Sequence, residues 1–395
     1  MIRAFIDLLK ASTEKLHPAY FAMVMGTGIV SVASLWLGIP AVPQLLFVLN
    51  IVFFAGLCVL TALRVAWHPH RILADLTDHN RCVGFFTTIA GACVLGVQFV
   101  LLGHNLAAAT WLWFGALALW LCLTYAIFTV LTVKEEKPPL AEGINGGWLL
   151  TVVTTQAVSN LGGLLADQFG PYREQMLFFS LIMWLCGGML YIWTISLIFY
   201  RYTFFKFLPS DLAPPYWINM GAVAISTLAG TRLILNAPKS ALLEQLVPFL
   251  QGFTLLFWAT ATWWIPMLVT LAVWRHVYKR YPVAYDPLYW GLVFPLGMYT
   301  ACTFQLAKVT RLDFLYAIPQ VFVYIAILAW LITFLGLVRR ITRALVGLIH
   351  HPGEPAAVLS SDQAPAGRQG ADTPHQPCQD AAGAAAMTGS DVSVG

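Results

Sequence analysis

Residues 42–66 read Val-Pro-Gln-Leu-Leu-Phe-Val-Leu-Asn-Ile-Val-Phe-Phe-Ala-Gly-Leu-Cys-Val-Leu-Thr-Ala-Leu-Arg-Val-Ala. Before Arg64 this run holds no charged side chain. A helix rising 1.5 Å per residue needs about 20 such residues to cross a hydrocarbon core of about 30 Å. The segment therefore reads as one membrane-spanning helix. Working outward, similar apolar blocks fall at approximately 19–37, 82–102, 107–133, 144–165, 175–200, 216–236, 246–274, 286–308 and 313–338. Of the 395 residues 59% are hydrophobic and 10% charged, against about 25% charged in soluble domains. The expectation is an all-α membrane protein of ten transmembrane helices.

The flanks divide the chain further. Residues 1–16 space Ile2, Phe5, Ile6, Leu9 and Leu16 among charges, the pattern of a cytoplasmic interfacial segment rather than a cleaved signal. Residues 17–343 hold the ten blocks. Residues 344–395 turn to Ala, Gly, Pro, Ser, Asp and Gln, too poor in large apolar side chains to build a core, so a disordered cytoplasmic tail is expected. Seven cysteines are present, and Cys58, Cys93, Cys122, Cys186 and Cys302 lie inside apolar blocks, where they read as packing residues.

Charge sets the orientation. Arg64, Arg71, Arg81, Lys134, Lys137, Arg201, Lys206, Arg275, Lys279, Arg280, Arg339, Arg340 and Arg343 fall at one end of the blocks. The other end carries only Arg173, Lys239 and Arg311. Positive charge in short links stays inside, so both termini are expected in the cytoplasm of a cell whose inner or plasma membrane holds the chain. Short uncharged links such as 38–41 and 103–105 join successive blocks into pairs that recur about every 60 to 70 residues, which reads as five related helical hairpins.

The odd blocks are richer in glycine, among them Gly26, Gly28, Gly230 and Gly297, and hold most of the polar residues: Gln98, Thr155, Gln156, Asn160, Thr227 and Thr300. Small residues permit close helix approach, and polar ones at membrane depth face a neighbour or an aqueous path. The odd helices are accordingly expected to form an inner ring, with these residues lining a substrate path. Two cations end odd blocks in matching register: Arg232 stands eleven residues after Gly221, as Lys308 stands eleven after Gly297. Placed at an outer mouth, they would attract anions, although each could instead snorkel to the interface or pair with an acid such as Asp313. No Asp or Glu lies mid-way along an odd block, which speaks against a cation path. There is no His-Glu-x-x-His, Gly-x-Ser-x-Gly, Walker or Cys-x-x-Cys pattern, so the sequence suggests no enzyme, metal, cofactor or nucleic-acid role. His17, His68, His70, His79 and His104 sit at block ends, where solvated or capping histidines are usual.

The first odd block opens His17-Pro18-Ala-Tyr-Phe21-Ala-Met-Val-Met25-Gly26-Thr27-Gly28-Ile29-Val30-Ser31, and the ninth reads Trp290-Gly291-Leu-Val-Phe294-Pro295-Leu296-Gly297-Met298-Tyr299. With Gly221 to Gly230, these stretches resemble the tellurite-resistance/dicarboxylate transporter family, part of the superfamily of voltage-dependent and slow anion channels. Its members include fungal malate permeases, sulfite efflux pumps, bacterial tellurite-resistance proteins and plant slow anion channels. The resemblance spans residues 15 to 343. It implies five hairpins around a quasi-fivefold pore, assembly as a homotrimer in the lipid bilayer, and a phenylalanine gate at the position of Phe294, beside Pro295. The function it implies is passage of a small inorganic or carboxylate anion, foremost a C4-dicarboxylate such as malate. The alternatives are sulfite or other oxyanion efflux and, more remotely, a membrane sensor or scaffold acting through the tail.

Overall fold

The computed structural model describes residues 2–282 and 285–350. They belong to one compact unit, Met1–Asp362; a second unit, Gln363–Gly395, lies outside the described residues. In chain order the helices are α1 Ile2–Glu14, α2 Ala22–Trp36, α3 Val42–Trp67, α4 Pro69–Thr77, α5 Phe86–Leu101, α6 Leu106–Val133 and α7 Leu140–Gly143. There follow α8 Leu150–Leu165, α9 Arg173–Phe204, α10 Ile218–Asn236, α11 Ala241–Gln245, α12 Val247–Val273, α13 Trp290–Thr310 and α14 Ala317–His350. No strand occurs among the described residues.

Eight helical stretches among the described residues are long and apolar enough to cross a membrane, and the chain is a multi-pass membrane protein. This differs from the ten blocks of the sequence for two reasons. The link 166–172 is itself helical, so 146–204 forms one stretch, broken where Gly170 takes φ +52°, a conformation open to glycine. And α13, diluted by Gly, Thr, Gln and Lys, is not among the eight. At the ends, the expected N-terminal segment contains α1, which Glu14 ties to Arg71 of α4 at 2.8 Å. Helix α14 continues to His350, beyond the boundary placed at residue 343; the remainder of the expected tail, 351–395, lies outside the described residues.

Helices from odd and even blocks have opposite surroundings. Of an apolar 18-residue window within Pro18–Trp36, Cys82–Leu101 and Pro214–Lys239, 78–83% is buried, against 17–22% of such a window within Val42–Trp67, Leu106–Val133, Val247–Tyr278 and Asp313–Arg343. Helices α8 and α13 are buried over most of their length. The buried helices pack in sequence, α2 on α5, α5 on α8, α8 on α10, α10 on α13 and α13 back on α2. Each also packs on the long helix that follows it: α3, α6, α9, α12 or α14. Close approach depends on glycine at particular points. A Cβ on Gly146 would stand 2.4 Å from the Pro215 carbonyl oxygen and 2.6 Å from the Tyr216 Cα, backbone atoms that cannot rotate aside. Gly146→Ala is expected to destabilise the protein by about 1–3 kcal/mol, as overpacking does, seen as a lower thermal midpoint in detergent; an unchanged midpoint would mean the two turns are not held that close.

A second tie recurs between the outer helices and the inner ring. Trp120 Nε1 of α6 donates to Thr155 Oγ1 of α8 at 2.9 Å, and Trp184 Nε1 of α9 to the Ser226 carbonyl of α10 at 2.8 Å. Trp258 Nε1 of α12 donates to Thr303 Oγ1 of α13 at 3.0 Å, and Trp330 Nε1 of α14 to Thr27 Oγ1 of α2 at 2.9 Å. On α3, Asn50 Nδ2 donates to Gln98 Oε1 of α5 at 2.6 Å. Every one runs from an outer helix to the inner helix that follows it around the ring. Lipid offers no hydrogen bonds, and these bonds satisfy polar groups of the inner and outer helices on one another.

Candidate functional site

Each inner helix begins in a 3-10 turn: Pro18–Phe21, Cys82–Phe85, Gly146–Leu149, Pro214–Trp217 and Pro287–Tyr289. Three open on proline, whose missing N–H costs nothing at a helix start. Three are capped by the preceding side chain: His17 Nδ1 accepts from the Ala19 N–H at 3.1 Å, Asn145 Oδ1 from Gly147 at 2.7 Å, and Asp286 Oδ1 from Leu288 at 2.7 Å. The five turns surround a cavity of about 300 Å³, to which all five inner helices contribute, including Met25, Thr87, Leu150, Ile218 and Phe294.

Both arginines at this cavity, Arg81 and Arg201, have carboxylate partners. Asp75 bonds Arg64 at 2.7 Å and Arg81 at 2.5 Å, with Arg64 and Asp75 both buried. Burial pushes the Asp75 carboxyl up, but hydrogen bonds from Arg81 and Arg64 outweigh it and hold the group below the usual carboxylate range. Arg201 stands 3.8 Å from Asp211 and donates to the Ala141 carbonyl at 2.6 Å. Arg81, Arg201, Asp211 and Glu142 all line the wall.

His17 lines the same cavity. Burial and the nearby Arg81 charge depress its pKa to about 4, which keeps Nδ1 free to accept the Ala19 bond. Between about 4 and the free value near 6.5, the unfolded chain binds a proton that the folded chain refuses, so stability falls as pH drops through that window. The thermal midpoint is expected to fall more steeply between pH 6.5 and 4.5 in wild type than in His17→Asn, whose amide can accept the same bond without titrating. Parallel slopes would show that the His17 ring is not the group concerned.

A second, much smaller cavity lies further along the same helices, lined by Ile29, Val32 and Trp36 of α2, Cys93, Val94 and Val97 of α5, Ala157 and Asn160 of α8, Ile225, Leu228 and Arg232 of α10, and Met298 of α13. Spacings of four and seven place both sets on one face of each helix: Met25 and Ile29, Thr87 and Val94, Leu150 and Ala157, Ile218 and Ile225, Phe294 and Met298. Between the two cavities that face carries Ala90, Val153 and Ala222, each fully buried, with Phe294, 1% exposed.

The structure sorts the residues that the sequence suggested for the substrate path. Phe294 lines the large cavity, and Asn160 and Arg232 line the small one. Pro295 lies inside α13 against Gly221, where a Cβ would meet its ring at 2.7 Å. Lacking an N–H, it leaves the carbonyl of Gly291 without its helical partner, and Gly291 lines the large cavity. The others lie away from both cavities. Thr27, Gln98 and Thr155 bond outer helices as described, and Gln156 Nε2 donates to the Trp184 carbonyl at 2.9 Å. Thr227 and Thr300 bond carbonyls one turn back in their own helices. Gly26 packs on Val293, Gly28 on Val94, Gly230 on Thr254 and Gly297 on Ile29. Lys308 is exposed on α13. The sequence reading missed Ala90, Val153 and Ala222, which carry no polar signal, and the mouth residues Arg81, Asn145 and Arg201, which lie in or beside the links.

Known transporters and membrane proteins resemble this chain. An uncharacterized transporter of Methanocaldococcus jannaschii is 27% identical over 341 residues, covering 84% of this chain and 97% of that protein. An uncharacterized membrane protein of Mycobacterium tuberculosis is 35% identical over 158 residues, 40% of this chain and 79% of its own. The sulfite efflux pump of Arthroderma otae is 22% identical over 315 residues, 74% of this chain and 82% of its own. Residues 15–338 match the family described as voltage-dependent anion channel, and with an all-helical membrane fold and an inner ring built on those same residues, the chain belongs to that family.

Proposed function

We propose that this protein passes small anions along the axis of the inner ring, between the large and the small cavity, and that Phe294 closes the path. The observation that carries this reading is the section between the cavities. Ala90, Val153 and Ala222 are buried on the face that runs between the cavities, and Phe294, buried and lining the large cavity, is the large side chain on that face of α13. An apolar constriction excludes water and therefore ions, and it opens when the ring moves aside. Pro295 supports the assignment, because the hydrogen bond it removes loosens α13 next to the ring.

On this reading the chain crosses the membrane ten times as five hairpins with quasi-fivefold symmetry, α13 being the inner helix of the last. Both termini face the cytoplasm of the cell membrane, since the arginine-rich links lie at the end of the large cavity. The outer helices, apolar and exposed, face lipid and the other subunits of a homotrimer. A malate-like C4-dicarboxylate is one candidate cargo. Sulfite is the other, favoured by the fungal sulfite efflux pumps among the relatives.

The test is anion flux into liposomes holding the purified full-length chain, comparing chloride, nitrate, hydrogen sulfite and malate with and without an imposed proton gradient and membrane potential. Passive flux of several anions identifies a channel, whereas malate movement dependent on the proton gradient identifies a coupled transporter. No flux of any anion above empty liposomes overturns the reading.

A further inference from the structure

Arg232 projects from α10 near its C-terminal end into the small cavity. It forms none of the ion pairs found among the described residues, and its Nε has no hydrogen-bond partner among them. Opposite, on α8, Asn160 is 6% exposed and lines the same cavity, and its side-chain amide makes no hydrogen bond among the described residues, which leaves the Nδ2 donor uncommitted. Arg232 as a whole is half-buried, but its Nε is a buried donor without an acceptor, which is costly unless something else satisfies it.

The surroundings hold the arginine in place. A Cβ on Gly163 would meet the Arg232 Cγ at 2.9 Å, so its stem lies directly across that glycine. Asn236 Nδ2 bonds the Gly163 carbonyl at 2.9 Å and the Arg232 carbonyl at 3.0 Å, pinning α10 to α8 at this level. Gly163 and Asn160 are three residues apart on α8, so the groove for the stem and the carboxamide share a face.

Resting on the reading of the axis as an anion path, we infer that Arg232 and Asn160 form a binding subsite for a small monovalent oxyanion, such as nitrate or hydrogen sulfite, on the far side of Phe294. The planar guanidinium presents two parallel N–H groups that match two oxygens of a trigonal or pyramidal oxyanion, and the Asn160 amide donates to a third. A spherical halide uses the charge but not the fork. Charge disfavours a dicarboxylate at this subsite. The cavity holds about 10 Å³ at rest, so any of these anions must widen it, and Arg232 is the one cation among the described residues that line it. A second carboxylate would lie unpaired against Ile29, Val32, Val94, Ile225 and Leu228.

The experiment measures thermal stabilisation of the full chain in lipid nanodiscs by sodium nitrate, hydrogen sulfite, chloride and malate, each shift converted to an affinity. Wild type is expected to bind nitrate and hydrogen sulfite at least about tenfold more tightly than chloride or malate. Arg232→Gln removes the stabilisation. Arg232→Lys keeps the charge and brings the nitrate-to-chloride ratio to about one, and Asn160→Leu weakens nitrate more than chloride. Should Arg232→Gln fail to fold, Gly163→Ala, which displaces the stem and leaves the guanidinium in the chain, produces the same loss of preference. Nitrate preference that survives Arg232→Lys, or the absence of any anion-dependent shift in wild type, overturns the subsite. Liposome flux of the same proteins separates the two ideas. Flux without nitrate preference leaves the path standing and removes the subsite; nitrate preference without flux does the reverse.

Discussion

Phe294→Ala is expected to raise anion conductance by at least about tenfold, equivalent to lowering the barrier by about 1.4 kcal/mol. Phe294 is 1% exposed, and the residues on the same face of the neighbouring inner helices, Ala90, Val153 and Ala222, are small, so on this reading they do not refill the space it leaves. Water admitted to the section would join the two cavities, and the anion would no longer have to shed its hydration against an apolar plug. Single-channel or liposome flux recordings of wild type and variant, at equal amounts of folded protein, supply the measurement. Phe294→Leu should fall between the two, because leucine restores part of the volume. Equal flux through wild type and Phe294→Ala would show that the barrier lies elsewhere.

Asp75→Asn should destabilise the fold by about 3 kcal/mol, the low end for breaking a buried ion pair. Arg64, 3% exposed, would be left without its carboxylate. Arg81 loses its partner as well, but its side chain is 37% exposed, so water screens much of that loss. The same argument sets a pH dependence. Because the Asp75 carboxyl is held below its free value in the folded protein, its contribution is present above the free value and is lost as pH falls through the lowered one. The thermal midpoint of wild type should therefore drop in acid, whereas Asp75→Asn should begin low at neutral pH and lack that part of the drop. A variant as stable as wild type at pH 7 would mean that the triad contributes little.

Much of the fold was legible because lipid leaves the backbone few options. The run 42–66 cannot be anything but a helix across a membrane, and the excess of glycine in alternate blocks marked α2, α5, α8, α10 and α13 as the inner helices. The site was less legible. Polarity at membrane depth was read as a sign of a lumen, yet Thr27, Gln98 and Thr155 bond tryptophan or asparagine on outer helices. A hydroxyl or amide in a helix has two possible clients, a water-filled path or the next helix, and sequence spacing does not say which.

By itself, then, the sequence determined the solvent, the helical class and the division into inner and outer helices, because these depend on composition and period along one chain. Only the tertiary structure decided which face of each inner helix meets the axis. That rotation is set by the closing of the ring, by glycines such as Gly28 and Gly297 fitting Val94 and Ile29, and by the bonds from Trp120, Trp184, Trp258 and Trp330. These contacts join residues up to 303 positions apart, and turning a helix by a fraction of a turn would exchange its apolar stripe for its polar one.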